Sequence, residues 1–106
     1  MSHYRFPADG VAIVFGGSGG LGSGVVELMS RSGADVAFTY FKNKDAADAL
    51  IGKVEENGRQ GMAASVDLMD IKAVQSFVDS VTERFGRIHS VVFATGPFLN
   101  ILPIMD

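Results

Sequence analysis

The stretch Phe15-Gly16-Gly17-Ser18-Gly19-Gly20-Leu21-Gly22 decides how the rest of the chain is read. Before it stands Val11-Ala12-Ile13-Val14-Phe15, a continuous apolar run that suits a strand buried on both faces. After it Leu21, Val25, Leu28 and Met29 recur at helical spacing, predicting a helix over Leu21–Ser32. Gly33 then stands where a helix end wants a residue of positive φ. A glycine-rich bend between strand and helix offers a pair of phosphates two things: bare backbone that allows close approach, and N–H groups aimed at the anion. Two registers fit, G-x-G-x-x-G through Gly17, Gly19 and Gly22, and G-x-x-x-G-x-G through Gly16, Gly20 and Gly22. The register of a triphosphate-hydrolysing loop fails, because Ser23 follows Gly22 and no lysine follows a suitable glycine. A glycine run alone can be a plain flexible turn. The strand before it and the helix after it are what favour nucleotide binding.

Outward from the bend the same alternation continues. Val36-Ala37-Phe38-Thr39-Tyr40 reads as a second strand, and Ala47, Leu50, Ile51 and Val54 as one face of a helix that stops at Gly58. Met62-Ala63-Ala64-Ser65-Val66 is a third strand, weakened by its alanines. Asp70 is a suitable N-cap for a helix with Ile71, Val74, Phe77, Val78, Val81 and Phe85 on its buried stripe, ended by Gly86. His89-Ser90-Val91-Val92-Phe93-Ala94 supplies a fourth strand. The glycine stops at 33, 58 and 86 are 25 and 28 residues apart, the beat of consecutive βα units. No linker interrupts them, so residues 1–106 are read as one domain. Right-handed crossovers then predict an α/β fold, one half of a doubly wound parallel sheet in the order 3-2-1-4. The apolar tail from Gly96 to Asp106 has no periodic segment to pack against, and the fourth strand would be left as an unpaired edge. The chain is therefore expected to be truncated.

Composition narrows the function classes. Of 106 residues, 47% are hydrophobic and 20% charged, enough for a core and against disorder. A net charge of −3 argues against a nucleic-acid partner, which needs clustered Lys and Arg. Without cysteine there is no disulfide framework and no thiolate metal site, and His3 and His89 alone do not suggest a metal centre. No apolar run approaches the ~18 residues of a membrane span, and the N-terminus lacks a signal-peptide core. The expectation is a soluble, cytoplasmic protein.

About twenty residues beyond the bend, a dinucleotide site declares its choice of cofactor. An acid there accepts hydrogen bonds from a ribose 2′-OH, whereas a base accommodates a 2′-phosphate. Counting from Gly20 and Gly22 lands on Tyr40 to Lys42, in Thr39-Tyr40-Phe41-Lys42-Asn43-Lys44, and no carboxylate lies between Asp35 and Asp45. Lys42 and Lys44 are cations, and Thr39, Tyr40 and Asn43 can add hydrogen bonds. The balance favours NADP(H), with NADPH preferred over NADH, although two lysines in a loop can also be plain solvated surface.

Taken together, several of these segments resemble a known family. Gly16-x-x-x-Gly20-Leu21-Gly22, Thr39-Tyr40-x-x-Asn43, Val66-Asp67-Leu68 and Phe85-Gly86-Arg87-Ile88-His89 look like the N-terminal half of a short-chain dehydrogenase/reductase of the 3-oxoacyl-carrier-protein reductase type. The resemblance runs from about Val11 to Gly96. It implies a Rossmann-type oxidoreductase that moves hydride between NADP(H) and a small carbonyl or alcohol substrate; the open edge and apolar tail add the expectation of a homo-oligomer or of association with a missing C-terminal segment. By position it implies that Gly16, Gly20 and Gly22, with Leu21 between the last two, line the pyrophosphate, and that Ser18 donates toward the adenosine end. Tyr40, Lys42 and Asn43 belong to the 2′-phosphate loop. Asp67 would touch adenine through its carboxylate, or else only cap its own loop, and Leu68 would reach it through its backbone N–H. Ala94 and Gly96 would lie under the adenosine ribose.

Departures from the family pattern are equally specific. Phe15 replaces the usual Thr before the first glycine and so loses a hydroxyl that ties the bend to its neighbours. Phe93-Ala94-Thr95-Gly96 replaces Asn-Asn-Ala-Gly, so other groups, Thr95 among them, must brace the central strands. The family's chemistry needs a serine and a Tyr-x-x-x-Lys beyond the fourth strand, with tyrosine as general acid. Tyr40 and Lys44 have that spacing, but at the wrong loop, and it is read as coincidence. No catalytic residue is assigned, and the chain alone is expected to be inactive. Two alternatives stay open: a non-catalytic nucleotide-binding module that self-associates through the open strand edge, and, more weakly, a flavodoxin-like response module.

Overall fold

A computed structural model describes residues 10–17, 20–94 and 100–103. The apolar run after Gly10 forms β1 (Val11–Phe15), all five residues of which are buried. It lies at the centre of a sheet because both of its edges are used: β2 (Asp35–Tyr40) pairs with it in parallel on one side and β4 (Ile88–Phe93) in parallel on the other. β3 (Gly61–Ser65) adds in parallel to β2. The predicted 3-2-1-4 order is therefore the observed one.

Strand alternation divides the core into two layers. Ala12, Val14, Val36, Phe38 and Val92 meet Val26 and Met29 of α1 (Gly20–Arg31) together with Ala47, Leu50 and Val54 of α2 (Lys44–Glu56). Val11, Ile13, Phe15 and Ala37 turn the other way, toward Phe77 and Val81 of α3 (Ile71–Phe85). Helices on both faces of a parallel sheet make the fold doubly wound. All three glycine stops adopt positive φ, +98° at Gly33, +77° at Gly58 and +81° at Gly86. Asp70 caps α3 as its spacing suggests, its carboxylate accepting from the N–H groups of Lys72 and Ala73 at 3.1 and 3.2 Å.

The helical stripes differ from expectation in two places. Leu28 is 58% exposed, whereas Val26 is fully buried. The two lie two residues apart, about 200° around the helix, so burial of Val26 and Met29 turns Leu28 outward. Along α3, exposure falls from Ile71 through half-buried Val74 to buried Phe77, so the first residue of the stripe overhangs the core.

A larger difference concerns the far edge. β4 was expected to present unpaired backbone, but β5 (Asn100–Pro103) lies antiparallel against it, with Val91 opposite Leu102 and Val92 opposite Ile101. An extended apolar segment that satisfies the N–H and C=O groups of a strand edge needs no helical period, which is why the tail looked unpartnered in sequence. Pro103, without an N–H, is tolerable because it ends an edge strand. Among the described residues no helix is long and apolar enough to cross a membrane.

Candidate functional site

The segments singled out in the sequence converge at the carboxyl ends of β1 to β4, where ligands of open α/β sheets bind. Gly16 leaves β1 with φ +84°, a conformation that side chains rarely adopt. Its N–H donates to the Thr39 hydroxyl at 2.9 Å, and the next N–H, of Gly17, donates to the Thr39 carbonyl at 2.9 Å. A Cβ at Gly17 would stand 2.6 Å from that of Phe38. One at Gly22 would overlap the Gly16 carbonyl oxygen and lie 2.8 Å from the Gly17 Cα. The bend and the first turn of α1 thus press backbone against backbone. Gly16 and Gly17 belong to different glycine registers, yet each has a steric requirement of its own; Ser18 and Gly19 lie outside the described residues.

Gly20 opens α1, followed by Leu21. The first N–H groups of a helix have no intrahelical acceptor, and no acidic side chain stands in this first turn to occupy them. Electrostatically the place favours an anion.

The loop after β2 is built differently. Tyr40 ends the strand, half-buried against the α1/α2 core layer, and its carbonyl accepts from the Val66 N–H at 2.9 Å. Phe41 and Lys42 are exposed, with the Lys42 ammonium 5.3 Å from the Phe41 ring centre. Asn43 caps α2, its side-chain oxygen accepting from the Ala46 N–H at 3.0 Å, which leaves its amide N–H groups for another acceptor. Lys44 donates to Asp48 at 2.8 Å, and this hydrogen bond and charge raise its pKa above the ordinary 10.5. Of the two lysines expected to face a 2′-phosphate, Lys44 is therefore engaged. Lys42 has no carboxylate within ion-pair reach among the described residues. Asp35 does not compete, since it starts β2 at the opposite end and receives Arg59 at 2.9 Å. Thr39, expected to add a hydrogen bond to this loop, is 1% exposed and turned to the bend instead.

Asp67 follows β3 in an exposed loop. One of its carboxylate oxygens accepts from the Met69 N–H at 2.9 Å, so it does cap its own loop, with the other oxygen left over. Leu68 is half-buried against the α3 layer. Ala94, after β4, donates its N–H to the Phe15 carbonyl at 2.9 Å and so sits beside the start of the bend. Gly96 and Thr95 lie outside the described residues. No group of three or more His, Asp or Glu able to hold a metal occurs among the described residues.

Sequence reasoning missed what replaces the absent threonine and asparagines. The Phe15 ring stacks on Phe93 at 4.9 Å and meets Phe77 edge-on at 6.1 Å. Aromatic packing thus braces β1 against β4. The hydroxyl for the bend comes from the neighbouring strand, and its signal in the sequence was a lone Thr within the apolar stretch Val36–Tyr40 of β2.

With this geometry in place, likeness to known proteins becomes informative. Residues 10–101 match the family model of short chain dehydrogenases. The chain belongs to that family. It is 34% identical to a hydroxynaphthalene reductase of Aspergillus fumigatus over 86 residues, 81% of this chain and 32% of that protein. Among solved structures, a short-chain dehydrogenase/reductase of Serratia marcescens superposes with a TM-score of 0.80 at 35% identity, over 88% of this chain and 38% of that one. A short chain dehydrogenase of Burkholderia cenocepacia in complex with NADP superposes with a TM-score of 0.75 at 38% identity, over 77% of this chain and 34% of that one. The chain spans about a third of the length of the curated relatives it matches.

Proposed function

We propose that this chain is the cofactor-binding part of an NADP(H)-dependent oxidoreductase that interconverts a small carbonyl compound and its alcohol. Bound NADPH would supply the hydride, and no residue of this chain is assigned to the transfer itself. The observation that carries the reading is the pairing of an anion-favouring bend with an exposed lysine one βα unit later, in a segment with no carboxylate between Asp35 and Asp45.

Gly16, by its bare backbone, and the N–H groups at Gly20, Leu21 and Gly22 would line the diphosphate, with Ser18 donating toward the adenosine end. Lys42 and the spare amide N–H of Asn43 would take the 2′-phosphate, with Tyr40 setting the position of their loop through its packing. The unused oxygen of Asp67 and the N–H of Leu68 suit the exocyclic amine and ring nitrogen of adenine. Ala94, a small residue just after β4, would leave room for the ribose, and Gly96, outside the described residues, is assigned there by its place in the family pattern. Family membership supports the cofactor class, and the NADP complex of the Burkholderia neighbour supports the choice of phosphate. Self-association through an open β4 edge loses its motive, since β5 occupies that edge.

Titration of the protein with NADPH and with NADH tests this. This chain should by itself bind NADPH with a dissociation constant of tens of micromolar or weaker, on the order of −6 kcal/mol, since contacts are assigned only to the adenosine and diphosphate parts of the cofactor. Lys42→Glu should weaken NADPH about tenfold or more, replacing attraction to a dianion by repulsion, and change NADH by less than about twofold. Equal effects on the two cofactors would make Lys42 an ordinary surface residue.

A further inference from the structure

The conformation of the bend is held by one residue that belongs to neither glycine register. Thr39 accepts two consecutive N–H groups, that of Gly16 on its hydroxyl and that of Gly17 on its carbonyl, both at 2.9 Å. Two adjacent glycines can adopt many backbone conformations, so a bend made of them is loose unless something outside it selects one. Thr39 is 1% exposed, so water is poorly placed to take over if its hydroxyl is lost. Its place is also an odd one for a hydroxyl. It lies one step beyond the Val14–Phe38 pair, beside buried Phe15 and two residues from buried Ala37 on the same face. Valine would suit a buried strand position of this kind better than threonine does. The hydroxyl is thus explained by its partner, the Gly16 N–H.

We propose that Thr39 is a positioning residue for cofactor binding: from β2 it supplies the hydrogen-bond acceptor that sets the Gly16–Gly17 backbone, a function for which Phe15 has no hydroxyl to offer. This rests on the proposed dinucleotide site. With the Gly16 and Gly17 N–H groups turned into β2, the Gly16 carbonyl faces the Cα of Gly22, the contact that a Cβ there would obstruct. The groups left to meet a diphosphate are then amides at the start of α1, for which a helix offers no acceptor of its own, held at a fixed distance from β1. Losing the hydroxyl frees the first peptide of the bend to rotate, and the diphosphate then has to reorder it on binding.

The test uses Thr39→Val, with Thr39→Ala as a second truncation should valine not fold, and Thr39→Ser as the conservative rescue. Three quantities are read: the dissociation constants of NADPH and of adenosine 2′-monophosphate, and the hydrogen-exchange rate of the Gly16 amide by NMR. Valine should weaken NADPH about tenfold and speed Gly16 exchange about tenfold, the scale of one lost buried hydrogen bond. Adenosine 2′-monophosphate, which has no diphosphate, should change by less than about twofold, and serine should restore NADPH to within about twofold of the wild type. Equal weakening of both ligands in a folded truncation variant would overturn the proposal, as would serine behaving like valine. Undiminished NADPH binding in Thr39→Val sinks the Thr39 assignment alone. A wild-type protein that binds no NADPH sinks the dinucleotide site and the role of Thr39 with it.

Discussion

The two halves of the candidate site are made in opposite ways. The bend from Gly16 to Gly22 is held by exclusion: Gly17 lies against Phe38, Gly22 against the Gly16 carbonyl, and Thr39 takes both leading amides. The loop from Phe41 to Lys44 is exposed throughout and held by a cap at Asn43 and a surface ion pair at Lys44. The first is a matter of shape in a dry interior, where a single added carbon has nowhere to go. The second is a matter of charge in water, where side chains move cheaply and salt screens them. Substitutions in the bend should therefore damage the fold and every ligand together. Those in the loop should leave the fold nearly intact and act on the choice of ligand.

Gly22→Ala carries the largest expected effect. Its methyl group would occupy the space of the Gly16 carbonyl, so α1 must move away from β1. Overpacking of this severity costs about 3 kcal/mol or more, which for a domain of this size lowers the melting temperature by upward of about 10 °C. Calorimetry giving a melting temperature within a few degrees of the wild type would break the contrast between bend and loop.

Asn43→Ala is intermediate and separates capping from binding. Loss of the acceptor for the Ala46 N–H should cost about 1 kcal/mol in urea denaturation. NADPH affinity should fall by less than it does in Lys42→Glu, because a neutral amide contributes less to a dianion than an ammonium. The reverse order would move the 2′-phosphate from Lys42 to Asn43.

The smallest effect belongs to Asp48→Ala. Lys44 and Asp48 are both well exposed, and the pair should be barely visible in thermal melts at neutral pH. Because the pair raises the Lys44 pKa, its contribution is present below the ordinary lysine value and is lost as pH rises through the raised one. Wild type and variant should therefore converge only as the pH passes beyond that raised value. The freed Lys44 should slightly improve NADPH binding at low salt; a loss of binding would mean that Asp48 positions the loop.

Much of this architecture was legible beforehand, and for identifiable reasons. Strands buried on both faces read as apolar runs, unbroken in β1 and interrupted only by Thr39 from Val36 to Tyr40 of β2, and the helices between them end at glycines whose positive φ is a local need. The Asp70 cap is likewise local, since an Asp before a periodic stretch meets N–H groups two and three residues on. The Lys44–Asp48 pair was equally open to a reader of spacing, four residues apart on one helix face, and went unread. By contrast, nothing local in β1 says that Phe15 stacks on Phe93, 78 positions later, or that Thr39 faces Gly16 across 23 residues. Those contacts exist only once β2 and β4 have taken their places on either side of β1.

Sequence by itself determined the alternation of elements, the glycine bend and the lack of a carboxylate between Asp35 and Asp45. Each follows from residue type and short-range spacing, since hydrophobic period, capping and backbone freedom act over a few residues. Tertiary structure alone decided which hydroxyl clamps the bend, which ring braces Phe15, and that the apolar tail becomes an antiparallel edge strand. These depend on which strand ends meet, and that meeting is set by packing two core layers against one sheet rather than by any segment alone.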